Sequence, residues 1–574
     1  MMSNAFALPA DALTFAYFSM EFGLDPTMPT YSGGLGILAG DTIRAAADRG
    51  ITAAGVTLLH RKGYFRQHLD GYGNQSESDA DWSPEQFLEP LPQRVMVTIE
   101  GRQVQVQAWR YLVHGVSGYV APVYFLDTAI PENTTWDQTL TDHLYGGDDH
   151  YRLCQQVVLG LGGVAMLRAL GYRKINAYHM NEGHSALVIL ALLEEQTWGS
   201  GLHTASSVQI EAVRQRCVFT THTPVAAGHG YVSMDLLRNV VGEEPASFLA
   251  ATDCCCNGVL NVTALALSFS RYINGVSMRH EETSRSMFNN HPINSVTNGV
   301  HAATWTSEPF CRIYDRYVPE WRRDNLYLRY AAKIPLDAIR QSHDEAKRAL
   351  LAQVEQRTGV RLDPAAMTLG FARRATSYKR TDLLFSDLDR LRRIARQAGP
   401  LQVICGGKAH PRDEGGKALI RRIFEAAAAL KDAVPVVYLE EYDIALAKYL
   451  CSGVDVWLNT PQKPLEASGT SGMKAALNGV PSFSILDGWW IEGHVEGASG
   501  WAIGDGWQSE VNPDVEVPSM YDKLEHVVLP MYYREPDAFA GIMRSAIALN
   551  GSHFNAQRML AQYVQNAYLA TGNP

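Results

Sequence analysis

Short apolar runs alternate with longer amphipathic segments along most of this chain. In its first part, the runs Thr14–Ser19, Asn176–Met180 and Cys217–Thr221 predict buried strands, and each is followed by a loop and a helical pattern. The stretch Arg94–Trp109 alternates apolar and polar positions, which favours antiparallel strands added to the same region. This alternation of strands and helices predicts an α/β sheet with mostly parallel strands.

The second part of the chain follows the same pattern more regularly. Its predicted strands are Met367–Ala372, Leu401–Cys405, Val434–Leu439, Val454–Leu458 and Pro481–Leu486. Its predicted helices are Arg380–Arg396, Gly416–Leu430, Ile444–Leu450 and a run that begins near Ser471. We therefore predict two doubly wound sheets whose strand C-termini meet along one interdomain cleft, where ligands of such folds bind.

The pattern also suggests where the domains divide. We expect an N-terminal domain over residues 1–303, with additions, and a C-terminal domain over residues 304–554. The last segment, residues 555–574, has a helical pattern, and we expect it to cross back onto the N-terminal domain.

Composition excludes several classes of protein. The 574 residues are 46% apolar and 19% charged, with a formal charge of −10, which argues against broad nucleic-acid binding. No apolar stretch is long enough to span a membrane, and Met1–Asp11 lacks the features of a secretory signal. Eight cysteines, including Cys254-Cys255-Cys256, have no metal-ligand spacing, so we expect structural thiols, no metal site and a cytoplasmic location.

The small-residue turn from Glu466 to Lys474 offers the strongest candidate chemistry. It follows a predicted strand and precedes a predicted helix, Met473–Asn478, so its backbone N–H groups form a potential anion site. A lysine in the first turn of a helix faces the positive end of the dipole, which lowers its pKa and suits imine chemistry. An ordinary surface lysine at a helix start is the alternative.

A cluster of cations forms a second candidate anion site. The segment from Arg373 to Arg380 follows the strand Met367–Ala372 and precedes the helix predicted from Arg380. Basic side chains at a helix N-terminus suit phosphate, and Arg374 and Lys379 are the strongest candidates. The alternative is a solvated basic helix start.

Other motifs leave more than one interpretation open. The loop Ser32–Gly36 allows close approach to a ligand, but it lacks a dinucleotide or ATP fingerprint. His222 could act as a base, contact a sugar or simply pack, and Asn181–His184 could be a polar strand-end turn, an acid catalyst or a metal site. The aromatic residues Trp489, Trp490, Tyr378 and Tyr442 could stack on sugars, although core packing is the default for tryptophan.

Together these motifs resemble the α-glucan (glycogen/maltodextrin) phosphorylase family, in particular its short prokaryotic type. The main match is Glu466-Ala467-Ser468-Gly469-Thr470-x-x-Met473-Lys474, followed by Leu477-Asn478-Gly479. Supporting matches, in the family's order, are Gly33–Gly36, His222-Thr223, Asn274-Gly275-Val276 with His280, Thr297-Asn298-Gly299, Arg374 with Tyr378-Lys379-Arg380, and Gly406–Ala409.

The resemblance implies two Rossmann-like domains of the GT-B type and a glycosyltransferase (hexosyltransferase) activity. It implies retaining, reversible phosphorolysis of the terminal α-1,4-linked glucose of an α-glucan by inorganic phosphate, giving α-glucose 1-phosphate. It also implies that Lys474 holds pyridoxal 5′-phosphate as an imine and that the cofactor's phosphate group takes part in proton transfer. A homodimer is among the assemblies it allows.

The resemblance further implies a role for each matched residue. Lys474, Arg374 and Lys379 would be catalytic. The groups implied around the ligands are Thr470, Gly469 and Arg373 for the cofactor, Arg374, Lys379 and Gly34 for the substrate phosphate, and Glu466, Ser468, Gly469, His222 and Asn298 for the sugar.

The chain departs from the family pattern at four residues near the expected cofactor site. Ser471-Gly472 replaces the usual Gly-Asn, Arg373 stands where Lys is frequent, and Asp443 stands in place of an Arg that contacts the cofactor phosphate. Two alternatives remain: a sugar-nucleotide-dependent glucosyltransferase of the glycogen/starch synthase kind, which would not need Lys474, and a non-catalytic glucan-binding protein.

Overall fold

Two separate parallel sheets organise the computed structural model, which describes residues 12–224, 230–288, 290–507 and 511–569. The expectations for Met1–Asp11 and for residues 570–574 lie outside this part of the chain. Helices cover both faces of each sheet, so the fold class is α/β, as the sequence predicts.

The first sheet has nine strands within the described residues. In spatial order they are Ile293–Ser295, Tyr272–Gly275, Cys217–Thr220, Lys174–Asn181, Ala12–Phe18, Ala53–Leu58, Val120–Asp127, Arg102–His114 and Glu89–Ile99. Neighbours are parallel as far as Val120–Asp127, and the last two strands pair antiparallel. The alternating stretch around Arg94–Trp109 is therefore the antiparallel edge that its pattern predicts.

The second sheet has six strands in the described residues, and all of its pairs are parallel. In spatial order the strands are Val436–Leu439, Leu401–Gly406, Met367–Ala372, Val456–Asn459, Ser482–Ile485 and Gly500–Ile503. They are almost wholly buried apolar runs, as expected for a sheet covered on both faces.

Thirteen α-helices of the described chain come before the first strand of the second sheet. Most of them lie between strands of the first sheet in the sequence, and the last ones connect the two sheets. The thirteen are Gly34–Arg49, Thr135–Gln138, Asp149–Val157, Gly163–Ala169, Val188–Thr197, Ser207–Arg214, Met234–Val241, Glu243–Ala250, Val262–Ser268, Met278–Met287, Ala302–Trp305, Glu308–Tyr317 and Leu336–Thr358.

The helices that follow the first strand of the second sheet are Leu388–Gln397, Glu414–Leu430, Ile444–Gly453, Ser471–Ala476, Trp490–Gly493, Pro513–Lys523, Leu529–Arg534, Pro536–Ala546 and Ala556–Tyr563. A hairpin and a small three-stranded antiparallel sheet are also present in the described residues. The hairpin pairs Arg66–Leu69 with Gln75–Ser78, and the small sheet has Val259–Asn261 between Tyr231–Ser233 and Cys255–Cys256.

One predicted helix starts in the wrong place. The sequence pattern predicts a helix from Arg380, but the helix begins at Leu388, and Arg380 has a left-handed φ of 46°. Tertiary contacts explain the difference: the Arg380 guanidinium donates to the carbonyl oxygens of Thr460 (3.0 Å) and Pro461 (2.6 Å) and pairs with Glu516. These bonds hold the chain in a loop that continues past Arg380.

The last helix of the described chain packs on the first sheet. Ala556–Tyr563 runs against Gly34–Arg49, and the following turn brings Tyr568 onto Phe15, with ring centroids 4.5 Å apart. The Tyr568 hydroxyl also lies 2.6 Å from Nδ1 of His179. This segment therefore completes the apolar core on one face of the first sheet.

Candidate active site

A pocket of about 640 Å³ lies between the carboxyl ends of the two sheets. The residues to which the resemblance assigns a role all line it: Gly34, His222, Asn298, Arg373, Arg374, Lys379, Glu466, Ser468, Gly469, Thr470 and Lys474. They come from strand ends far apart in sequence, which meet because parallel strands present their C-termini at one edge.

The glycine-rich loop is held in shape by a buried carboxylate that the sequence analysis missed. Glu21 accepts hydrogen bonds from the backbone N–H groups of Ser32 (2.6 Å) and Gly33 (3.2 Å), and from the hydroxyl of Tyr145 (2.9 Å). A Cβ at Gly36 would lie 2.8 Å from the same carboxylate, whereas one at Gly34 would meet nothing within 4 Å. The loop is therefore fixed from behind and open towards the pocket.

This loop leads into the helix Gly34–Arg49, whose N-terminus points its unpaired N–H groups at the pocket. Arg374 reaches the same place from the second sheet, since its Nη2 donates to the Ser32 hydroxyl over 3.1 Å. A helix N-terminus and a guanidinium thus converge from opposite sides of the cleft, which favours an anion between them.

The basic segment itself has no helix N-terminus. Arg373 and Arg374 follow the strand Met367–Ala372 in a loop, and Ser377–Lys379 form a single 3₁₀ turn. The dipole contribution expected from a helix at Arg380 is therefore absent, and the field at this place comes from the side-chain charges and from the helix Gly34–Arg49.

A buried ion triad connects the two candidate anion sites. The Glu466 carboxylate lies 2.6 Å from Nζ of Lys379 and also pairs with the Arg373 guanidinium. Burial alone would raise the pKa of Glu466, but the charges of Arg373 and Lys379 lower it to about 2. The triad keeps one net positive charge, and Nε and Nη1 of Arg373 have no partner in the described residues.

Lys474 is buried with its amine over an aromatic ring. Its Nζ lies 3.9 Å from the ring centroid of Trp305, and within the described chain it forms no ion pair. Burial lowers the pKa of this amine, whereas Cys451 and Asp41 oppose the shift. The pKa is thus lowered, as the sequence analysis expects, but the first cause is burial and not the dipole of the short helix Ser471–Ala476.

Trp305 is itself fixed by a second buried carboxylate. Its indole Nε1 donates to Asp41 over 2.9 Å, and Asp41 also accepts from the backbone N–H of His301 (3.1 Å). Since Asp41 lies on the helix Gly34–Arg49, the floor under Lys474 is positioned by the first half of the molecule. Neither Asp41 nor Trp305 belongs to a sequence motif from which its place in the site could have been predicted.

The Ser471-Gly472 departure has a packing explanation. The Ser471 hydroxyl accepts a hydrogen bond from the indole of Trp457 (3.1 Å), and a Cβ at Gly472 would lie 2.7 Å from the ring of Trp489. Glycine at 472 thus leaves room for a tryptophan behind the turn. Gly469 has a left-handed φ of 83°, which keeps the turn tight before the helix that carries Lys474.

The first sheet supplies uncharged polar groups to the pocket. Burial lowers the pKa of His222 to about 3 and that of His184 to about 4, so both imidazoles are neutral near pH 7. Nε2 of His222 and Oδ1 of Asn298 are buried and have no partner in the described residues. They can therefore bond hydroxyl groups of a ligand.

Glu182, in the segment whose sequence allows a polar strand-end turn, an acid catalyst or a metal site, also lines the pocket. It has a left-handed φ of 73° and accepts from the N–H of His222 (2.7 Å) and the hydroxyl of Thr223 (3.1 Å). Burial raises its pKa, and these hydrogen bonds oppose the rise. A strained, buried carboxylate at a strand end is typical of a functional site.

The aromatic candidates separate into two groups. Trp489 and Trp490 are each 1% exposed and belong to the core, whereas Tyr378 and Tyr442 line the pocket. Asp443 also lines it, but its carboxylate caps the helix Ile444–Gly453 by accepting from the N–H of Leu446 (2.7 Å).

Comparison with known proteins places this arrangement in a family. A family model described as carbohydrate phosphorylase matches residues 245–500. A maltodextrin phosphorylase of Thermococcus litoralis is 36% identical over 96% of this chain and 70% of its own length. A glycogen phosphorylase of Aquifex aeolicus is 35% identical over 96% of this chain and 85% of its own length.

The chain belongs to the carbohydrate phosphorylase family. An uncharacterized protein of Methanocaldococcus jannaschii is 32% identical over 96% of this chain and 99% of its own length, so a relative of the same size exists. The resemblance inferred from the Glu466–Lys474 motif is thereby confirmed at the level of the family.

Three further features of the described residues in this phosphorylase-family chain concern metal binding, apolar helices and thiols. Across the part of the chain that the structure describes, no three His, Cys, Asp or Glu side chains are grouped to bind a metal ion. No helix in the described ranges has the length and apolarity needed to cross a membrane. All eight cysteines are free thiols.

Proposed function

We propose that this protein is an α-1,4-glucan phosphorylase, which transfers the terminal glucose of an α-glucan to inorganic phosphate with retention of configuration. The observation that carries this proposal is the buried Lys474, which forms no ion pair with the described residues and lies beside a cluster of cations in the interdomain pocket. A GT-B arrangement, with domains over residues 1–303 and 304–554 and a crossing segment over residues 555–574, is part of the proposal.

The residues present fit pyridoxal 5′-phosphate. Lys474 provides an amine with a lowered pKa, the turn at Gly469 and Thr470 provides backbone N–H groups, and Arg373 provides unpaired guanidinium nitrogens. The pocket volume is also in the range of small-molecule sites. When bound, this cofactor supplies a phosphate group that exchanges a proton with the substrate phosphate.

Arg374, Lys379 and the N-terminus of the helix Gly34–Arg49 would hold the substrate phosphate. Two phosphate groups side by side repel each other strongly, so the site needs several cations and oriented N–H groups. The net positive charge of the Arg373–Lys379–Glu466 triad meets that need from the second sheet, and Arg374 adds a further charge.

The sugar would lie between these cations and the neutral groups of the first sheet. His222, Asn298, Glu466, Ser468 and the Gly469 backbone would bond its hydroxyls and orient its anomeric carbon. Inorganic phosphate donates a proton to the leaving glycosidic oxygen as the C1–O bond breaks, and a phosphate oxygen then forms the new bond to C1 on the same face. Excluding water favours this product over hydrolysis.

Two measurements test the proposal. We expect the purified protein to show a near-ultraviolet absorption band that borohydride fixes on the Lys474 peptide, and to release glucose 1-phosphate from maltodextrin and phosphate. No band after pyridoxal phosphate is added would favour a sugar-nucleotide-dependent transferase. A fixed cofactor without any product would favour a non-catalytic glucan-binding protein.

Several finer points remain predictions. They are a cytoplasmic location, a homodimer, and the absence of nucleic-acid and membrane partners. Size-exclusion chromatography with light scattering measures the assembly directly.

A further inference from the structure

The turn that carries Glu466 is attached to a neighbouring loop by backbone hydrogen bonds. The N–H of Glu466 donates to Oδ2 of Asp487 over 2.9 Å, and the N–H of Gly488 donates to Oδ1 of the same side chain over 3.0 Å. The N–H of Trp489 donates in turn to the carbonyl oxygen of Ser468 over 2.9 Å. One buried carboxylate therefore joins two loops that end adjacent strands of the second sheet.

The two loops are in close contact. Gly488 has a left-handed φ of 56°, and a Cβ at this position would lie 2.5 Å from the carbonyl oxygen of Ser468 and 3.0 Å from that of Glu466. Any side chain at 488 would separate the loops. The position of the Glu466 backbone thus depends on how Asp487 is held.

A second, small cavity lies directly behind this contact. Its volume is about 10 Å³, close to the space that one water molecule occupies. Its lining residues are Asn459, Pro461, Glu466, Ser468, Gly469, Ser484, Asp487, Trp489 and Trp490. Three of them carry buried polar atoms with no partner in the described chain, namely Asn459 Oδ1, Ser468 Oγ and Trp490 Nε1. A water with two to four polar neighbours would satisfy them.

Asp487 is 2% exposed and stands in an unusual electrostatic setting. Burial raises its pKa to about 7; the nearby Glu466 carboxylate adds to the rise, and the two backbone N–H groups and Arg279 oppose it. Its other neighbours around the cavity are uncharged. Its charge state therefore changes near neutral pH.

We propose that Asp487, together with one water molecule bound in the small cavity, is a positioning residue that holds the Glu466–Gly469 turn against the sugar. When Asp487 is ionised, both oxygens accept the N–H groups of Glu466 and Gly488. When it is protonated, one of these oxygens becomes a weaker acceptor, and the turn loses part of its support.

The kinetic consequence rests on the proposed phosphorylase function. The Michaelis constant (KM) for α-glucose 1-phosphate should rise as the pH falls from about 8 to about 6, since Asp487 is protonated across this range. Phosphate and α-glucose 1-phosphate also ionise in this range, so the two constants are compared at one pH. There the loss of the Asp487 carboxylate should change the KM for phosphate less than the KM for α-glucose 1-phosphate, because Arg374 and the helix N-terminus at Gly34 do not contact Asp487.

The test compares the cofactor-loaded wild type with Asp487→Asn, an isosteric change that offers only one acceptor for two donors. We expect the variant to keep its cofactor, to raise the KM for α-glucose 1-phosphate about 10-fold at pH 8, and to lose the pH dependence of that KM. Asp432→Asn, an exposed carboxylate on the second sheet's outer side, is the matched control and should match the wild type.

Hydrogen exchange gives a measurement that needs no catalysis. The amide of Glu466 should exchange about 10-fold faster in Asp487→Asn than in the wild type, and faster in the wild type at pH 6 than at pH 8 after correction for intrinsic rates. The proposal would be overturned if the exchange rate of the Glu466 amide were the same in the variant and the wild type, and the same in the wild type at pH 6 and pH 8. The second of these comparisons uses the wild type alone, so it remains decisive even if the variant is unstable. A wild-type crystal structure at about 1.5 Å with no electron density in the cavity would overturn the bound water.

The kinetic and hydrogen-exchange experiments distinguish a wrong function from a wrong role for Asp487. If the wild type releases no glucose 1-phosphate, the proposed function fails while the exchange experiment still decides the role of Asp487. If the enzyme is active but the sugar KM of Asp487→Asn is unchanged at every pH, the positioning role is wrong and the proposed function stands.

Discussion

The two sides of the cleft differ in charge. The side built on the first sheet presents mainly neutral imidazoles, an amide and the backbone of a glycine loop, at His222, His184, Asn298 and Gly34. Its carboxylate at Glu182 is occupied by hydrogen bonds from His222 and Thr223. The side built on the second sheet presents cations, partly balanced by Glu466. One surface thus suits hydroxyl groups and the other suits phosphates, and a reaction that joins a sugar to phosphate needs both.

The strongest test of this difference in charge is to remove a cation from the side built on the second sheet. In Lys379→Ala we expect kcat to fall about 10²–10³-fold and the KM for phosphate to rise, because a charged donor to the transferring phosphate is lost. The cofactor should remain bound through Lys474. Initial rates at varied phosphate and cofactor absorbance measure both.

The matched control for that variant is Lys431→Ala, a surface lysine outside the pocket, which should leave both constants unchanged. If Lys379→Ala keeps wild-type phosphate kinetics, the second side does not bind phosphate as we describe.

The ion triad on the second side also predicts a pH dependence of stability. The pKa of Glu466 is about 2 in the folded protein and about 4.3 in an unfolded chain, so its contribution is complete above about pH 5 and is lost as the pH falls towards 2. Glu466→Gln should lower the free energy of unfolding by about 3 kcal/mol at pH 7, and by about half as much near pH 3. Urea denaturation followed by tryptophan fluorescence measures the difference.

Glu496→Gln provides a control, because the pKa of Glu496 is shifted in the same direction as that of Glu466. Burial would raise the pKa of Glu496, but its hydrogen bonds with His494 and Lys523 lower this pKa to about 2. Its side chain, however, is 47% exposed. Solvent screening should limit its effect to under about 1 kcal/mol. Equal losses in the two variants would contradict the buried character of the triad.

A third substitution tests how tightly the turn before Lys474 packs against Trp489. Gly472→Asn, towards the more usual residue, should destabilise the protein by about 2 kcal/mol, because the new side chain would meet Trp489 and Ser482. Thermal unfolding compared with Gly541→Asn, at a position with open space around it, isolates this effect. A Gly472→Asn variant as stable as Gly541→Asn would show that Trp489 can move aside.

The smallest expected effect lies on the neutral side. His222→Asn should raise the KM for α-glucose 1-phosphate about 10-fold and leave the KM for phosphate within about 2-fold. With a pKa near 3, His222 should contribute no change in sugar KM between pH 5 and pH 9. A pH dependence near 6.5 that disappears in the variant would mean that the first side carries a charge after all.

Much of the fold could be predicted because the second sheet is so regular. The strand Met367–Ala372 matches its prediction to the residue, since a continuous apolar run ends abruptly at Arg373. The helix expected at Arg380 could not be placed correctly, because its start depends on Thr460, Pro461 and Glu516, which are remote in sequence.

The candidate site was predictable where a motif carried it and not elsewhere. The motif around Lys474 is one short segment, and residues 466–471 and Lys474 itself line the pocket. Glu21 and Asp41 are isolated carboxylates whose partners, Tyr145 and Trp305, lie far along the chain. These residues come together only in the folded structure, so no local sequence pattern could have predicted their hydrogen bonds.

The crossing segment has a consequence for the order of folding during synthesis. Ala556, Met559, Leu560 and Tyr563 complete a core that includes Phe15, in the first described strand, Ala12–Phe18. During synthesis, this face of the first sheet therefore stays uncovered until the segment from Ala556 has emerged from the ribosome, and until then the nascent protein exposes an apolar surface that chaperones recognise. The first sheet thus completes its core only after the second sheet has been synthesised.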